Sequence, residues 1–285
     1  MWGSAYLFLK VSSSEIPPLL LAALRAGVAV PVLVVLCAAL RQFSMNRLIL
    51  RDMLVIGTLN GWLPNCLAAL AITSISSVEA GVLQATTPII TGLLAAALLR
   101  DESLSAKTIV CLVAGFLGVV LVVATSGSTQ ATGTALGYFL MIGVAFSFGA
   151  GAVYARWAKP NSPALIASGQ LIVASLMAVV ASLLVGESWQ LDWSVDVVFS
   201  VFMLGAFCTA LPAVLFLMVI SRYKAVKVGA ASFLQPIWAI ILGALFLAEW
   251  ISILQLLGSA IIVLSVVAIT TQTEIPKTRA PKHNT

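Results

Sequence analysis

Residues 195–221 read VDVVFSVFMLGAFCTALPAVLFLMVIS, a run in which Asp196 is the one charged residue. An α-helix rises about 1.5 Å per residue and the hydrocarbon layer of a bilayer is about 30 Å thick, so about 20 apolar residues are enough to cross it. The run lacks the apolar–polar alternation of a membrane β-strand and is about twice as long as one. It therefore predicts a transmembrane helix.

Similar runs fill the rest of the chain, at roughly 1–14, 17–40, 53–75, 78–99, 108–125, 134–155, 164–186, 195–221, 228–248 and 252–271. Of the 285 residues, 61% are hydrophobic and 9% are charged, whereas about a quarter of the residues of a soluble protein are charged. This composition excludes a cytosolic enzyme, a nucleic-acid-binding protein and a disordered protein. We predict an all-α polytopic membrane protein with ten transmembrane helices.

The positions of the basic residues predict the orientation. If the N-terminus is cytoplasmic, 13 of the 15 Lys and Arg residues lie in cytoplasmic segments, and the exceptions are Lys10 and Arg25. Glu187, Asp192 and Asp196 cluster in a loop on the other side. Short cytoplasmic loops carry an excess of Lys and Arg. We therefore expect an integral protein of the cell membrane (the bacterial inner membrane) with both termini in the cytoplasm.

The two halves of the chain share a pattern of prolines. The pairs are Pro17 and Pro163, Pro64 and Pro212, and Pro88 and Pro236, separated by 146, 148 and 148 residues. We predict a first five-helix repeat over 1–125, a second over 132–271 and a polar cytoplasmic tail over 272–285. Because five is an odd number, the repeats would have opposite topology, a plan that recurs in secondary transporters with the substrate site near the midplane.

The repeat leaves the first helix short. Pairing Lys10 with Arg156 places Trp2 opposite Phe148, about fourteen residues into the sixth helix. Two explanations stay open: an assigned start codon that lies too late, which is the favoured one, or a first helix that is truly shortened. In both cases the first helix is expected to lack its cytoplasmic half.

Four segments together resemble the EamA-type branch of the drug/metabolite transporter superfamily. They are WGSAYLFLK (2–10), IPPLLLAALR (16–25), LAALAITSISSVEAGVLQATTPIITGLLAAALLRDE (67–102) and SRYKAVKVGAASFLQPIWAIILGALFLAEW (221–250). The resemblance covers nearly the whole chain. It implies ten helices in two inverted EamA repeats, cytoplasmic termini, and export or exchange of small metabolites such as amino acids. Because the family is broad, the identity of the substrate does not carry over.

Polar and aromatic side chains flank the predicted proline breaks. These candidate substrate-binding residues are Asn60, Asn65, Gln84, Thr87, Gln235 and Trp238. Proline removes a backbone hydrogen bond, which a membrane protein tolerates where a cavity or a neighbour satisfies the freed carbonyl. The predicted hinges are Pro64, Pro88, Pro212 and Pro236. The alternative is polar contact between helices, which is favoured for Thr87, whereas a binding role is favoured for Gln84 and Gln235.

Two membrane segments near the N-terminus carry the remaining candidates. Trp2, Tyr6 and Lys10 are four residues apart and share one helix face. Lys10 lines a cavity or extends to the outer interface. Arg25 lies deeper in its run, where substrate binding and a structural pairing are equally favoured. Glu79 opens the fourth helix, where capping is favoured over a role as proton carrier.

Several classes of chemistry are disfavoured. The four cysteines lie singly inside apolar runs and are interpreted as packing residues, and the one histidine, His283, lies in the polar tail. We therefore expect no metal or cofactor and no enzyme activity. The expected partners are a small-molecule substrate and the lipid bilayer, without nucleic acid. The leading hypothesis is a secondary transporter of small metabolites that works by alternating access, and the alternative is an efflux protein or flippase for multiple drugs or lipid-like compounds.

Overall fold

The computed structural model describes residues 8, 11–12, 15–41, 46–71, 74–75, 80, 83–102, 104–124, 134–160, 162–189, 193–235, 237–238, 241, 245 and 252–271. All regular structure within these residues is helical, and no β-strand occurs among them. The all-helical part of the predicted fold is therefore confirmed. The count of ten helices and the inverted arrangement stay predictions.

The α-helices described are α1 (Pro18–Ala39), α2 (Arg47–Gly57), α3 (Leu63–Ala71), α4 (Thr87–Leu98), α5 (Ala106–Ala124), α6 (Ala135–Ala158), α7 (Pro163–Val185), α8 (Val195–Gly205), α9 (Leu211–Ile220), α10 (Ala225–Ala230) and α11 (Ile253–Thr270). Two π-helical segments, Thr58–Trp62 and Ala206–Ala210, join α2 to α3 and α8 to α9. A 3₁₀ segment, Ala231–Leu234, continues α10.

Five helices of the described residues are long and apolar enough to cross a membrane. They are Pro18–Ala39, Ala135–Ala158, Pro163–Val185, Val195–Ile220 and Ile253–Thr270. Large apolar side chains cover the outside, with Leu184 and Val195 more than four-fifths exposed. Such a surface would be costly in water and carries no cost against lipid chains.

Close helix contacts depend on small residues. Helix α1 packs along α7, and α5 packs along α11. A Cβ atom on Gly118 of α5 would lie 2.9 Å from the carbonyl oxygen of Gly258 on α11. Because lipid tails are as apolar as Leu, close packing of this kind is what drives helix association in a membrane.

The fourth predicted helix differs from its expected form. Helix α4 begins at Thr87, with Pro88 in its first turn, and Ala85 and Thr86 form a turn before it. The apolar run over 78–99 predicted one membrane segment that is broken at Pro88, and within the described residues the break is the turn at Ala85 and Thr86, directly before α4. The physical reason is that proline is well tolerated in the first turn of a helix, where the missing N–H has no partner to lose.

Candidate substrate site

The two π-helical segments lie at matching positions of the chain. Each spans five residues, 148 residues apart, and each is followed directly by Leu-Pro. In the first segment the Leu63 N–H donates to the Thr58 carbonyl, five residues back. In the second, the Thr209 hydroxyl donates to the Leu204 carbonyl at 2.8 Å. Short π-helical turns often mark functional sites.

A neighbouring helix satisfies the carbonyl that Pro64 leaves free. In the five-residue register of the first segment, an N–H at position 64 would bond the Leu59 carbonyl. Proline has no N–H, and the hydroxyl of Ser147 on α6 donates to this carbonyl at 2.8 Å instead. The break in the helix is thus held by α6, in the way expected for proline in membrane helices.

Asn60 projects from the first π-helical segment towards α6. Its side-chain amide lies so close to Gly151 that a Cβ atom at this glycine would overlap it. Asn60 is half-buried. Because an amide carries both donors and acceptors, Asn60 adds a polar group beside the α6 backbone.

Arg25 and Asn65 lie together. The Nη2 atom of Arg25 on α1 donates to Oδ1 of Asn65 at 3.4 Å, and Nδ2 of Asn65 donates to the Gly61 carbonyl at 2.6 Å. Both side chains are half-buried. A Cβ atom on Gly205, which precedes the second π-helical segment, would lie 2.9 Å from the Arg25 carbonyl oxygen. Arg25 therefore contacts the helix of one π-helical segment with its side chain and approaches the other with its backbone.

Gln84 and Thr87 form a second polar group at the start of α4. The Thr87 hydroxyl donates to the Gln84 carbonyl at 2.7 Å. Pro88 faces Gly229 of α10, where an added Cβ would lie 3.7 Å from the Pro88 Cα. Gln235 is half-buried and Trp238 is 53% exposed.

Five sequence predictions fall on residues outside those described. They concern Trp2, Tyr6, Lys10, Glu79 and Pro236. Of the predicted hinges that lie within the described residues, Pro64 and Pro212 are buried and lie in the first turns of α3 and α9. Within the described part of the chain, no group of three His, Cys, Asp or Glu residues could hold a metal ion.

Sequence reasoning missed an ionic cluster at the C-terminal end of α6, in which Arg156 and Glu102 are buried and Asp101 is exposed. Arg156 donates to Asp101 at 3.0 Å and to the Ser221 carbonyl at 3.1 Å, and its Nε lies 3.4 Å from Glu102. Glu102 accepts from the Ala225 N–H at 2.6 Å. Burial raises the pKa of Glu102, although the Ala225 N–H and Arg156 act in the opposite direction. This cluster ties the loop before α5 to the start of α10.

A second ionic group lies at the same end of α6. Tyr154 donates to Asp52 at 2.7 Å, Arg51 pairs with the same carboxylate at 3.1 Å, and the Arg51 guanidinium lies 5.5 Å from the ring centre of Trp157. The sequence offers one weak signal, an adjacent Arg-Asp pair at the start of an apolar run. It says nothing about Tyr154, which is distant along the chain.

Two carboxylates cross between the halves at the opposite end of the bundle. Glu187 accepts from the N–H groups of Leu19 and Leu20, at 3.0 and 2.8 Å, and so caps α1. Glu15 accepts from the N–H and the hydroxyl of Ser194, each at 2.9 Å, at the start of α8. Carboxylates complement the positive ends of helices, so each half caps a helix of the other.

Comparisons with known proteins give the family. The profile of the EamA-like transporter family matches residues 1–124 and 135–271. Two Bacillus subtilis (strain 168) proteins, named uncharacterized transporter YoaV and uncharacterized transporter YvbV, are each 24% identical to this chain. The matches cover 92% of this chain and 90% of YoaV, and 98% of this chain and 91% of YvbV.

A crystal structure of another protein shares the fold. It matches with a TM-score of 0.84 at 18% sequence identity, over 95% of this chain and 94% of its own. Because the family profile covers nearly the whole chain and the helices are long and apolar, the identification rests on both sequence and structure. The chain belongs to the EamA-like transporter family and is a multi-pass membrane transport protein.

Proposed function

We propose that this protein is a secondary transporter that exports or exchanges small metabolites, such as amino acids, by alternating access of two five-helix halves. The observation that supports this most directly is the pair of matched, proline-terminated π-helical segments, with the Arg25 side chain bonded beside the first and its backbone close to Gly205 before the second. Interrupted helices that supply polar groups in the membrane are the typical substrate sites of secondary transporters.

The substrate would bind beside the first π-helical segment. Asn60 and Asn65 offer amide groups there, and Arg25 offers a guanidinium. In this proposal Gln84 and Thr87 line the same path from α4, with Gln235 and Trp238 from the segment after α10. Trp2, Tyr6 and Lys10 would complete it from the first helix.

The four predicted hinges, Pro64, Pro88, Pro212 and Pro236, would supply the bending points, since a proline interrupts the regular hydrogen bonding along a helical segment. Bending at these positions would let one half move against the other around a fixed site.

We further propose that the protein lies in the bacterial inner membrane with both termini in the cytoplasm. Contacts between the basic loops support their placement on one side of the membrane. Arg51 lies over Trp157, and Arg156 bonds Asp101 and the Ser221 carbonyl. The orientation can be tested with single cysteines and a membrane-impermeant thiol reagent on whole cells. Labelling of Ser188→Cys together with protection of Tyr223→Cys is expected, and the reverse would contradict the orientation.

Transport can be tested in proteoliposomes that are loaded with one candidate amino acid and exposed outside to the same compound carrying a radiolabel. Accumulation of the label is expected, and Gln84→Ala and Gln235→Ala should reduce it at unchanged protein yield. The conservative surface change Asp196→Asn, at an exposed position of α8, should leave it unchanged.

The same assay separates the alternative function. If lipophilic cations accumulate and stabilise the purified protein against heat, whereas amino acids do neither, the protein is a multidrug or lipid-like compound efflux protein. Unchanged transport in both glutamine variants would remove Gln84 and Gln235 from the site.

A further inference from the structure

A cavity of about 380 Å³ lies where the N-terminal ends of α2 and α7 meet the C-terminal end of α6. Ligand pockets typically measure about 300–1,000 Å³ and combine apolar walls with a few polar groups. Four polar residues line this cavity: Asn46, Asp52, Lys159 and Ser162. Leucine, isoleucine, alanine and proline side chains complete its walls. It has the size and lining of a site for a small molecule.

Asp52 places a buried carboxylate in the cavity wall. The residue is 6% exposed. Its Oδ1 atom accepts from the Tyr154 hydroxyl at 2.7 Å and from Arg51 Nη2 at 3.1 Å. Its Oδ2 atom accepts no hydrogen bond from any residue in the described part of the chain. Oδ2 is not among the fully buried atoms without a partner, so it is accessible to a donor group of a ligand in the cavity.

The two donors to Oδ1 orient this carboxylate without occupying the cavity. Arg51 is exposed and stacks over Trp157, with its guanidinium 5.5 Å from the ring centre. Tyr154 belongs to α6 and is fixed by the helix. Both donors approach Oδ1, which leaves Oδ2 as the acceptor for a ligand. A charged donor such as an ammonium forms the strongest hydrogen bonds with a carboxylate.

Lys159, an exposed residue that lines the same cavity, carries the opposite charge. It follows the last turn of α6 in the left-handed conformation, with φ 45°, and its backbone N–H bonds the Ala155 carbonyl. A ligand with only a positive charge would be repelled by Lys159, and one with only a negative charge would leave Oδ2 of Asp52 without a donor. A ligand with both charges can satisfy both side chains.

We propose that this cavity is a binding site for a small zwitterion, whose ammonium donates to Oδ2 of Asp52 and whose carboxylate pairs with Lys159. The Asn46 amide and the Ser162 hydroxyl border the same space and offer further polar contacts. The apolar walls favour a ligand with an aliphatic side chain. The site is separate from the polar groups around Arg25 and does not depend on the transport function proposed above.

The test measures equilibrium binding to the purified full-length protein in lipid nanodiscs. Three probes differ only in charge: leucine (zwitterion), leucinamide (cation) and N-acetylleucine (anion). Leucine is expected to bind at least tenfold more tightly than the other two. Equal binding of all three probes, or no binding of leucine, would overturn the proposal.

Charge variants then assign the site. Asp52→Asn and Lys159→Gln should each weaken leucine binding at least tenfold, while Asp196→Asn and Lys107→Gln, at exposed positions outside the cavity, should not. Each variant should also bind one charged probe better. Asp52→Asn should gain affinity for N-acetylleucine, because the change releases Arg51 from its ion pair, and Lys159→Gln should gain affinity for leucinamide, because a positive charge is removed. A variant that merely misfolds would lose affinity for all three probes.

The central site provides the last comparison. Asn65→Ala weakens the central site proposed above, and in this background Asp52→Asn should still lower leucine binding at least tenfold. If Asn65→Ala abolishes binding and Asp52→Asn retains it, leucine binds beside Arg25 and the cavity proposal is wrong.

Discussion

The segments Thr58–Trp62 and Ala206–Ala210 have the same π-helical backbone and different chemistry. Each is preceded by a glycine and followed by Leu-Pro at matching positions. The first bears Asn60, and Asn65 follows it, whereas the matching positions, 148 residues later, hold Cys208 and Ala213. The geometry is repeated while the polar groups are not. Both halves of the molecule therefore share the break in the backbone, but only the first half carries asparagine side chains there that could bind a substrate.

The two segments also differ in how they are held. In the first, the Leu59 carbonyl depends on Ser147 of another helix. In the second, the Thr209 hydroxyl donates to the Leu204 carbonyl in the last turn of α8, the helix that the segment continues. The first segment is therefore coupled to the position of α6, and the second is more self-contained. This difference can be tested at the glycines, at the asparagines and at the hydrogen bonds.

The largest expected effect concerns the glycines that precede the segments. A Cβ on Gly205 would lie 2.7 Å from the Val28 Cβ and 2.9 Å from the Arg25 carbonyl oxygen, while on Gly57 it would lie 2.9 Å from the Val173 Cβ. Overpacking of this kind costs about 1–3 kcal/mol. Gly205→Ala should lower the free energy of unfolding, measured by SDS titration in mixed micelles, by this amount and more than Gly57→Ala does.

Gly143→Ala is the matched control for the glycines. A Cβ there would meet only Leu67, at 3.4 Å, so the gain in helix propensity should make the change neutral or stabilising. A Gly205→Ala protein as stable as the wild type would show that α1 and α8 can move apart at this point without a cost in the free energy of unfolding.

The second prediction concerns the asparagine that distinguishes the two segments. Asn65→Ala removes the amide beside Arg25 and should lower the transport rate in proteoliposomes about tenfold, which corresponds to about 1.4 kcal/mol. Ala213→Ser, at the matching position after the second segment, should change the rate less than twofold. If Asn65→Ala and Ala213→Ser change the transport rate by the same factor, the two segments are functionally equivalent and Asn65 has no special role in binding.

The smallest effect concerns the hydrogen bond to Leu59. Ser147→Ala should cost about 0.6 kcal/mol, the average for hydrogen bonds between membrane helices. In a Pro64→Ala background this cost should disappear, because the restored N–H at position 64 can bond the Leu59 carbonyl. The double-mutant cycle, measured by SDS titration, gives this coupling directly.

The second segment supplies the control cycle. Thr209→Val removes a bond to Leu204, whereas an N–H at position 212 would reach the Phe207 carbonyl in the same register. Thr209→Val and Pro212→Ala should therefore add independently. If Thr209 and Pro212 are coupled whereas Ser147 and Pro64 are not, the second segment and not the first depends on a side-chain bond to the carbonyl that proline leaves free.

Much of the fold follows from local sequence. The long apolar runs predicted membrane helices, and five described helices have the necessary length. The recurrence of Leu-Pro marked the two points at which the helices are interrupted. Arg25 and Asn65 were both singled out as candidates, and the structure brings them together at 3.4 Å.

Other features of the structure depend on contacts with residues that lie far away along the chain. The bond from Ser147 to Leu59 and the Arg156–Glu102 contact join residues from separate parts of the chain. The π-helical form of the breaks depends on hydrogen bonds between different turns. The turn before α4 was missed because a continuous apolar run from 78 to 99 has no hydropathy signal where a helix begins. Hydropathy reports the surroundings of a segment and not the direction of each side chain.

The amino-acid sequence by itself determined the membrane environment, the helical class and the matched proline positions, because transfer into lipid depends on composition and a missing N–H depends on one residue. The tertiary structure alone decided which carbonyl Ser147 satisfies, which carboxylates cap helices of the other half, and that Asp52 and Lys159 line one cavity. These facts depend on how helices rotate and pack against each other, and that packing joins residues far apart in the chain.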